Sequence, residues 1–210
     1  MKNFEKFSAI FFIAGILSFF SATLLLGIWP ALMTDKLSKL NDLPNEIPME
    51  FKVYYKNSQE YHKALLEGRD VYIKEACWHC HSQYVRPVGN ESVRYGLVST
   101  ASEYQNILNR PQLFGTRRVG PDLTREHGKH SNDWHFAHLM NPQWTTPGSV
   151  MPRYPWYFSI DPDTKRPIPT SKGVALVAYL QSLGTDSTKG ISQSIYEVND
   201  ITMPPNPLTK

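Results

Sequence analysis

One run of five residues, Cys77-Trp78-His79-Cys80-His81, holds two thiols and an imidazole at a spacing suited to one kind of chemistry. Thiols three apart on a helical turn reach the two vinyl groups of a single porphyrin, and the residue that follows puts an imidazole beneath its iron. C-x-x-C-H is the attachment pattern of c-type heme. The run therefore predicts a covalent heme c on Cys77 and Cys80 with His81 as one axial ligand. Two other chemistries use the same residue types. Thiol exchange through C-x-x-C accompanies a βαβ pattern, which this chain lacks. A zinc site would join the cysteines to His127 and His130, or to His135 and His138, although neither histidine pair sits in a finger-like context.

A heme iron that shuttles electrons needs a second protein ligand, and Met raises its potential relative to His. The chain has six methionines. Met1 and Met33 belong to the N-terminal anchor segment, Met49 precedes the motif and Met203 lies near the end. Met140 closes a helical pattern, where packing suits it. Met151, in Gly148-Ser149-Val150-Met151-Pro152, sits in a loop stiffened by proline and is the expected second ligand. With His81 and Met151 on the two faces, no coordination position stays open. The chain is then expected to carry electrons and not to be catalytic on its own.

Positioning these residues takes several elements. Asn57 with Glu60 opens a helix whose Tyr61, Leu65, Leu66, Tyr72 and Ile73 carry it toward Cys77. Thr100 with Glu103, then Tyr104, Ile107 and Leu108 before Pro111, predicts a second, short helix. Ser131 caps a third through Trp134, Ala137 and His138, ending near Pro142. Ser171 opens a fourth, with Val174, Val177, Ala178, Tyr179 and Leu183 before Gly184. No alternating strand pattern of useful length appears. The expected heme domain is 57–184, the connector 35–56 with Pro44 and Pro48, and an extended tail 185–210 ends in MPPNPLTK.

Ahead of these lies a stretch without charge, from Phe7 to Thr34. Its most apolar part, Phe7 to Trp29, is about 23 residues at 1.5 Å each, enough for a ~30 Å hydrocarbon core. That exceeds the apolar run of a cleaved signal peptide, and no convincing A-x-A site follows. Residues 1–34 therefore read as a membrane anchor, with Ala14, Ser18 and Ala22 giving one face small enough for another helix. Lys2 and Lys6 are matched by Lys36 and Lys39, so charge leaves the orientation open. Lys+Arg less Asp+Glu is 22 − 19 = +3, too close to zero for a nucleic-acid partner.

Gly120-Pro121-Asp122-Leu123 resembles the G-P-x-L of small cytochromes c, in which the proline carbonyl accepts from the proximal imidazole; the resemblance gives that role to Pro121. Residues 176–184 resemble their C-terminal helix, which crosses the first helix near a glycine such as Gly68. The implied fold is mainly α, one transmembrane helix plus a class I cytochrome c-like domain. A narrower likeness follows from Ser82-Gln83, Val85-Arg86-Pro87, Arg94-Tyr95-Gly96, Gly115, Arg118 and Ser149-Val150-Met151-Pro152 with Tyr154-Pro155-Trp156. With the heme motif, these resemble the mono-heme subunit of the cbb-type (C-family heme-copper) cytochrome c oxidase. Tyr84 and Arg117 depart from that pattern, where Met and Lys are expected.

This resemblance implies a single-pass subunit of a bacterial inner membrane with its domain in the periplasm. It would relay electrons from a di-heme cytochrome c subunit to the catalytic heme-copper subunit. It also implies a calcium shared with the catalytic subunit, with Ser99 as the aligned contact, and suggests Arg118 as a partner for a heme propionate. The small cytochrome c subunit of nitric oxide reductase is the alternative of the same class. A membrane-tethered zinc or thiol-redox protein is the alternative of another.

Overall fold

The computed structural model describes residues 2–37, 43 and 45–185. The expected tail lies outside the described residues beyond Thr185. The chain divides into two units, Met1–Asn41 and Asp42–Lys210.

In the first unit, α1 (Lys2–Ala22) runs into a π-helical stretch (Thr23–Ile28) and on into α2 (Trp29–Leu37). Phe7–Met33 is long and apolar enough to cross a membrane. The helix thus continues past Trp29, where the sequence reading ends the span. Pro30 has no N–H, and its ring crowds the carbonyl four residues back. The wider turn just upstream, in which the Trp29 N–H donates to Leu24 O, is a local adjustment that lets a helix pass a proline.

The second unit is mainly helical, as expected. Its frame is the crossing of α3 (Ser58–Lys74) with a helix near the end of the described chain, Ser171–Ser182. Asn57 caps α3 by accepting from the Glu60 N–H at 2.9 Å, and the Glu60 carboxylate reaches back to the Lys56 N–H. At the crossing, Gly68 is there for want of room: a Cβ on it would stand 2.0 Å from Ala175 O. Tyr72 and Tyr179 pack beside it with ring centroids 5.4 Å apart. The Ser171–Ser182 helix is buried at every residue from Gly173 to Gln181, as befits a helix apolar all round. Each fully buried Leu or Val in it stabilises the fold by about 1.5–3 kcal/mol.

Between these helices run α4 (Cys77–Cys80), α5 (Glu91–Tyr95), α6 (Asn132–Met140) and α7 (Pro142–Thr145), a two-stranded hairpin of β1 (Phe158–Ile160) and β2 (Pro167–Pro169), and then α8, the Ser171–Ser182 helix. Ser131 caps α6 by accepting from the Trp134 N–H. The expected second helix forms differently. Its Thr100–Glu103 capping box is present, but it opens only a 3-10 turn, Ala101–Tyr104, followed by another at Ile107–Asn109. Neither α5 nor the hairpin is foreseen; strands of three residues, one of them with proline at both ends, have no room for alternation. The connector is also more than a connector. Phe51 is fully buried and packs against Tyr61 in a tilted pair, ring centroids 5.9 Å apart, with Leu43, Ile47 and Tyr55 packed on the same core.

Candidate functional site

α3 does not carry the cysteines directly, as the sequence reading expects. It stops at Lys74, and Ala76 turns the chain through the left-handed region at φ 55° before α4 begins. A non-glycine residue there costs about 1–2 kcal/mol, and the turn re-aims Cys77–Cys80 as a separate helical turn. Glu75, at the break, accepts from Trp156 Nε1 at 3.2 Å and from the Tyr157 hydroxyl at 2.5 Å. The start of the heme motif is thereby tied to the turn that follows Met151. No feature of the sequence marks Glu75 for this part.

Both thiols are free. Burial, helped by Glu75, pushes Cys77 up to about 12, whereas a thiol-exchange cysteine needs a lowered pKa. Among the described residues the only strands are those of the hairpin, so a thioredoxin-like reading has no βαβ unit. Nor do three or more His, Cys, Asp or Glu residues gather anywhere among the described residues to hold a metal ion. His127 Nδ1 lies 2.7 Å from Gln181 O and His138 Nδ1 lies 2.6 Å from Thr145 Oγ1, while His130 stacks on Trp134. The zinc arrangement does not form.

His81 follows α4 in an extended conformation, and its Nδ1 lies 2.9 Å from Pro121 O. A carbonyl can only accept, so Nδ1 carries the proton and Nε2 keeps its lone pair. Burial lowers the pKa of the ring, with Pro121 O and Asp122 pulling the other way. A neutral imidazole with its back nitrogen engaged is the form a metal-ligating histidine takes. Backbone bonds flank this pair: Gly120 N–H to Cys80 O at 3.0 Å and Leu123 N–H to Ser82 O at 2.8 Å. Gly120 lies so close that a Cβ on it would stand 2.2 Å from His81 Cε1.

Met151 is half-buried, and it packs with Cys77, Trp78, Leu113 and Phe136 against one core. Its N–H donates to Ser149 Oγ at 3.2 Å, and the Tyr154 N–H ties the segment to α6 through Leu139 O. Burial raises the pKa of Tyr154, with Cys77, Glu75 and Cys80 near enough to add to it, and His81 likewise helps burial to lower His138 to about 4. The segment from α6 through Met151 therefore faces the motif. Met140, at the end of α6, is half-buried. Two thiols on one turn, an imidazole with an open Nε2 and a thioether loop facing them form a donor set that fits a heme c.

Two expected residues are placed elsewhere. Arg118 bonds within the protein: its Nε donates to Ser82 Oγ and its NH2 to Tyr84 O, both at 2.5 Å, while NH1 bonds Glu91. Each guanidinium nitrogen has a protein partner, and the side chain is 9% exposed. Ser99 is buried, with its hydroxyl accepting from the Val85 N–H at 2.9 Å, and among the described residues no metal-holding group of His, Cys, Asp or Glu forms there.

Against known families, the model described as cytochrome c oxidase, mono-heme subunit/FixO, matches residues 2–172. A comparison with curated proteins finds no match.

Proposed function

This chain belongs to the FixO family, the mono-heme subunits of cytochrome c oxidase, and on that premise we propose how its residues serve the complex. Cys77 and Cys80 would hold heme c by thioether bonds, and His81 Nε2 and Met151 Sδ would be the protein ligands of its iron. The observation that carries this reading is the 2.9 Å bond from His81 Nδ1 to Pro121 O, which leaves Nε2 as the free donor beside two free thiols. Bound there, the group supplies one-electron exchange at iron. The protein's part is to fix the imidazole, close the second face with a thioether and keep water out with the apolar cluster around Trp78 and Phe136.

In this role the subunit relays electrons from a di-heme cytochrome c subunit to the catalytic heme-copper subunit of a cbb-type oxidase. Heme c is attached outside the cytoplasm, which sets residues after about Asp35 in the periplasm and the N-terminus inside, across a bacterial inner membrane. The oxidase family match supports this reading over a nitric oxide reductase subunit, and the apolar helix supports a membrane anchor. For calcium, Ser99 is this chain's contact to a site shared with the catalytic subunit, which would supply acidic ligands, since none gather as a metal-holding group among the described residues.

The test is expression of the full chain with a periplasmic heme-attachment system. The protein should keep heme peroxidase staining on a denaturing gel, give a c-type pyridine hemochrome and copurify with the other oxidase subunits. Heme lost on denaturation, or accessibility of the soluble domain only from the cytoplasmic side, would contradict the reading.

A further inference from the structure

Behind His81 lies a buried polar network that electron transfer as described does not require. Ser82 Oγ donates to Asp122 Oδ2 at 2.6 Å and accepts from Arg118 Nε at 2.5 Å. The same Asp122 oxygen accepts from the Tyr84 N–H at 3.0 Å, and its other oxygen accepts from the Thr124 N–H at 2.9 Å. Arg118 reaches on to Tyr84 O and Glu91 and lies 5.0 Å from the centre of the Tyr95 ring. Glu91 in turn takes the Arg86 N–H at 2.8 Å and Nε at 2.7 Å. Ser82 and Asp122 are each 2% exposed.

The placement of this network gives it a meaning. His81 and Ser82 are neighbours, and so are Pro121 and Asp122. The Ser82–Asp122 bond is therefore a second rung beside the His81–Pro121 bond, and Arg118 clamps the second rung from outside. Apolar packing of the same volume is often as stabilising as a buried ion network; what this one adds, by its bonds to both rungs' neighbours, is fixed position. The quantity it positions matters, because a tighter bond from Nδ1–H makes the imidazole more basic, and a more basic ligand favours ferric iron.

We propose that Arg118, through Ser82 and Asp122, is a positioning residue that holds the His81–Pro121 hydrogen bond short and thereby lowers the reduction potential of the heme. This rests on His81 being the axial ligand. Arg118→Lys is the discriminating variant. It keeps the positive charge, so a pure field effect leaves the potential where it is; yet an ammonium cannot reach Ser82, Tyr84 O and Glu91 together. Loosening the rung raises the potential and lets the Nδ1 proton exchange.

The experiment uses the full heme-loaded chain in detergent, with potentiometric titration and NMR of the His81 Nδ1 proton. Arg118→Lys should raise the midpoint potential and speed exchange of that proton about tenfold, the equivalent of ~1.4 kcal/mol. Ser82→Ala, which removes one neutral hydroxyl, should move both readouts the same way and decides the matter if Arg118→Lys yields no holoprotein. Potential and exchange both unchanged in a heme-loaded variant, even with reduced thermal stability, would overturn the proposal. A wild-type protein whose iron does not show His81 ligation would instead contradict the ligand assignment itself.

Discussion

The two stretches of chain that face the candidate centre are held by different forces. Around His81 the ring, the backbone on both sides and the next side chain all make hydrogen bonds, to Pro121 O, Gly120, Leu123 and Asp122. The 148–152 loop is tied more lightly, by the Ser149 N–H to Thr146 O at 3.1 Å, the Met151 N–H to Ser149 Oγ and Gln143 Nε2 to Ser149 O at 3.5 Å. Its shape comes from Pro147, Pro152 and a glycine in the left-handed region. Ligand chemistry explains the contrast. An imidazole has a second nitrogen through which the protein can orient it, whereas a thioether has no donor and is a weak acceptor, so its orientation must come from chain stiffness and apolar packing.

If that contrast is right, the largest effect should come from crowding the polar side. Gly120→Ala forces a Cβ into the His81 ring. The overpacking and the lost Pro121 bond together should cost about 3 kcal/mol in denaturant unfolding of the holoprotein, with the ligand field disturbed. On the other side Gly148→Ala meets nothing within 4 Å but sits at φ +79°. It should cost about 1–2 kcal/mol through the backbone alone and leave the spectrum unchanged. Equal costs, or a spectral change in Gly148→Ala, would remove the distinction.

Acid should also separate the two sides. Arg118 and Arg86 hold the Glu91 carboxyl down at about 2 from its ordinary 4.5, with Asp122 and the Tyr95 ring beyond them. A depressed carboxylate lends stability that is fully present above its unfolded pKa and is lost as pH falls toward the folded one. That contribution should thus fade between about pH 4.5 and about 2, and Glu91→Gln should remove this limb from a pH series of unfolding curves. No titratable side chain lies in 148–152, so loop variants should leave the limb intact.

The smallest effect belongs to the loop's own hydrogen bond. Ser149→Ala removes the acceptor of the Met151 N–H and should cost about 0.5–1 kcal/mol, seen as a small drop in thermal midpoint without loss of heme. A drop as large as that of Gly120→Ala would mean that the loop depends on polar ties after all.

The contrast also bears on what could be read in advance. The donor residues and the helix caps at Asn57 and Ser131 follow from local rules, because caps and C-x-x-C-H act within a few residues. The break at Glu75–Ala76 does not, since Ala is the best helix former and only tertiary packing can turn it left-handed. Phe51 shows no period in its segment, so its burial against Tyr61 was out of reach. Arg118 reads as a surface cation looking for a carboxylate; its carboxylate is Glu91, 27 positions away in sequence, and no spacing rule joins the two. The Met151 loop, shaped by its own prolines, is the more legible half of the site, and the hydrogen-bonded half is the less legible one.

The central claim, a heme on Cys77 and Cys80 ligated by His81 and Met151, is tested most directly by the near-infrared spectrum of the oxidised full-length protein. A sulfur-to-iron charge-transfer band should be present in the wild type, absent in Met151→Ala and retained in Met140→Ala. A band that survives Met151→Ala and disappears in Met140→Ala would contradict it.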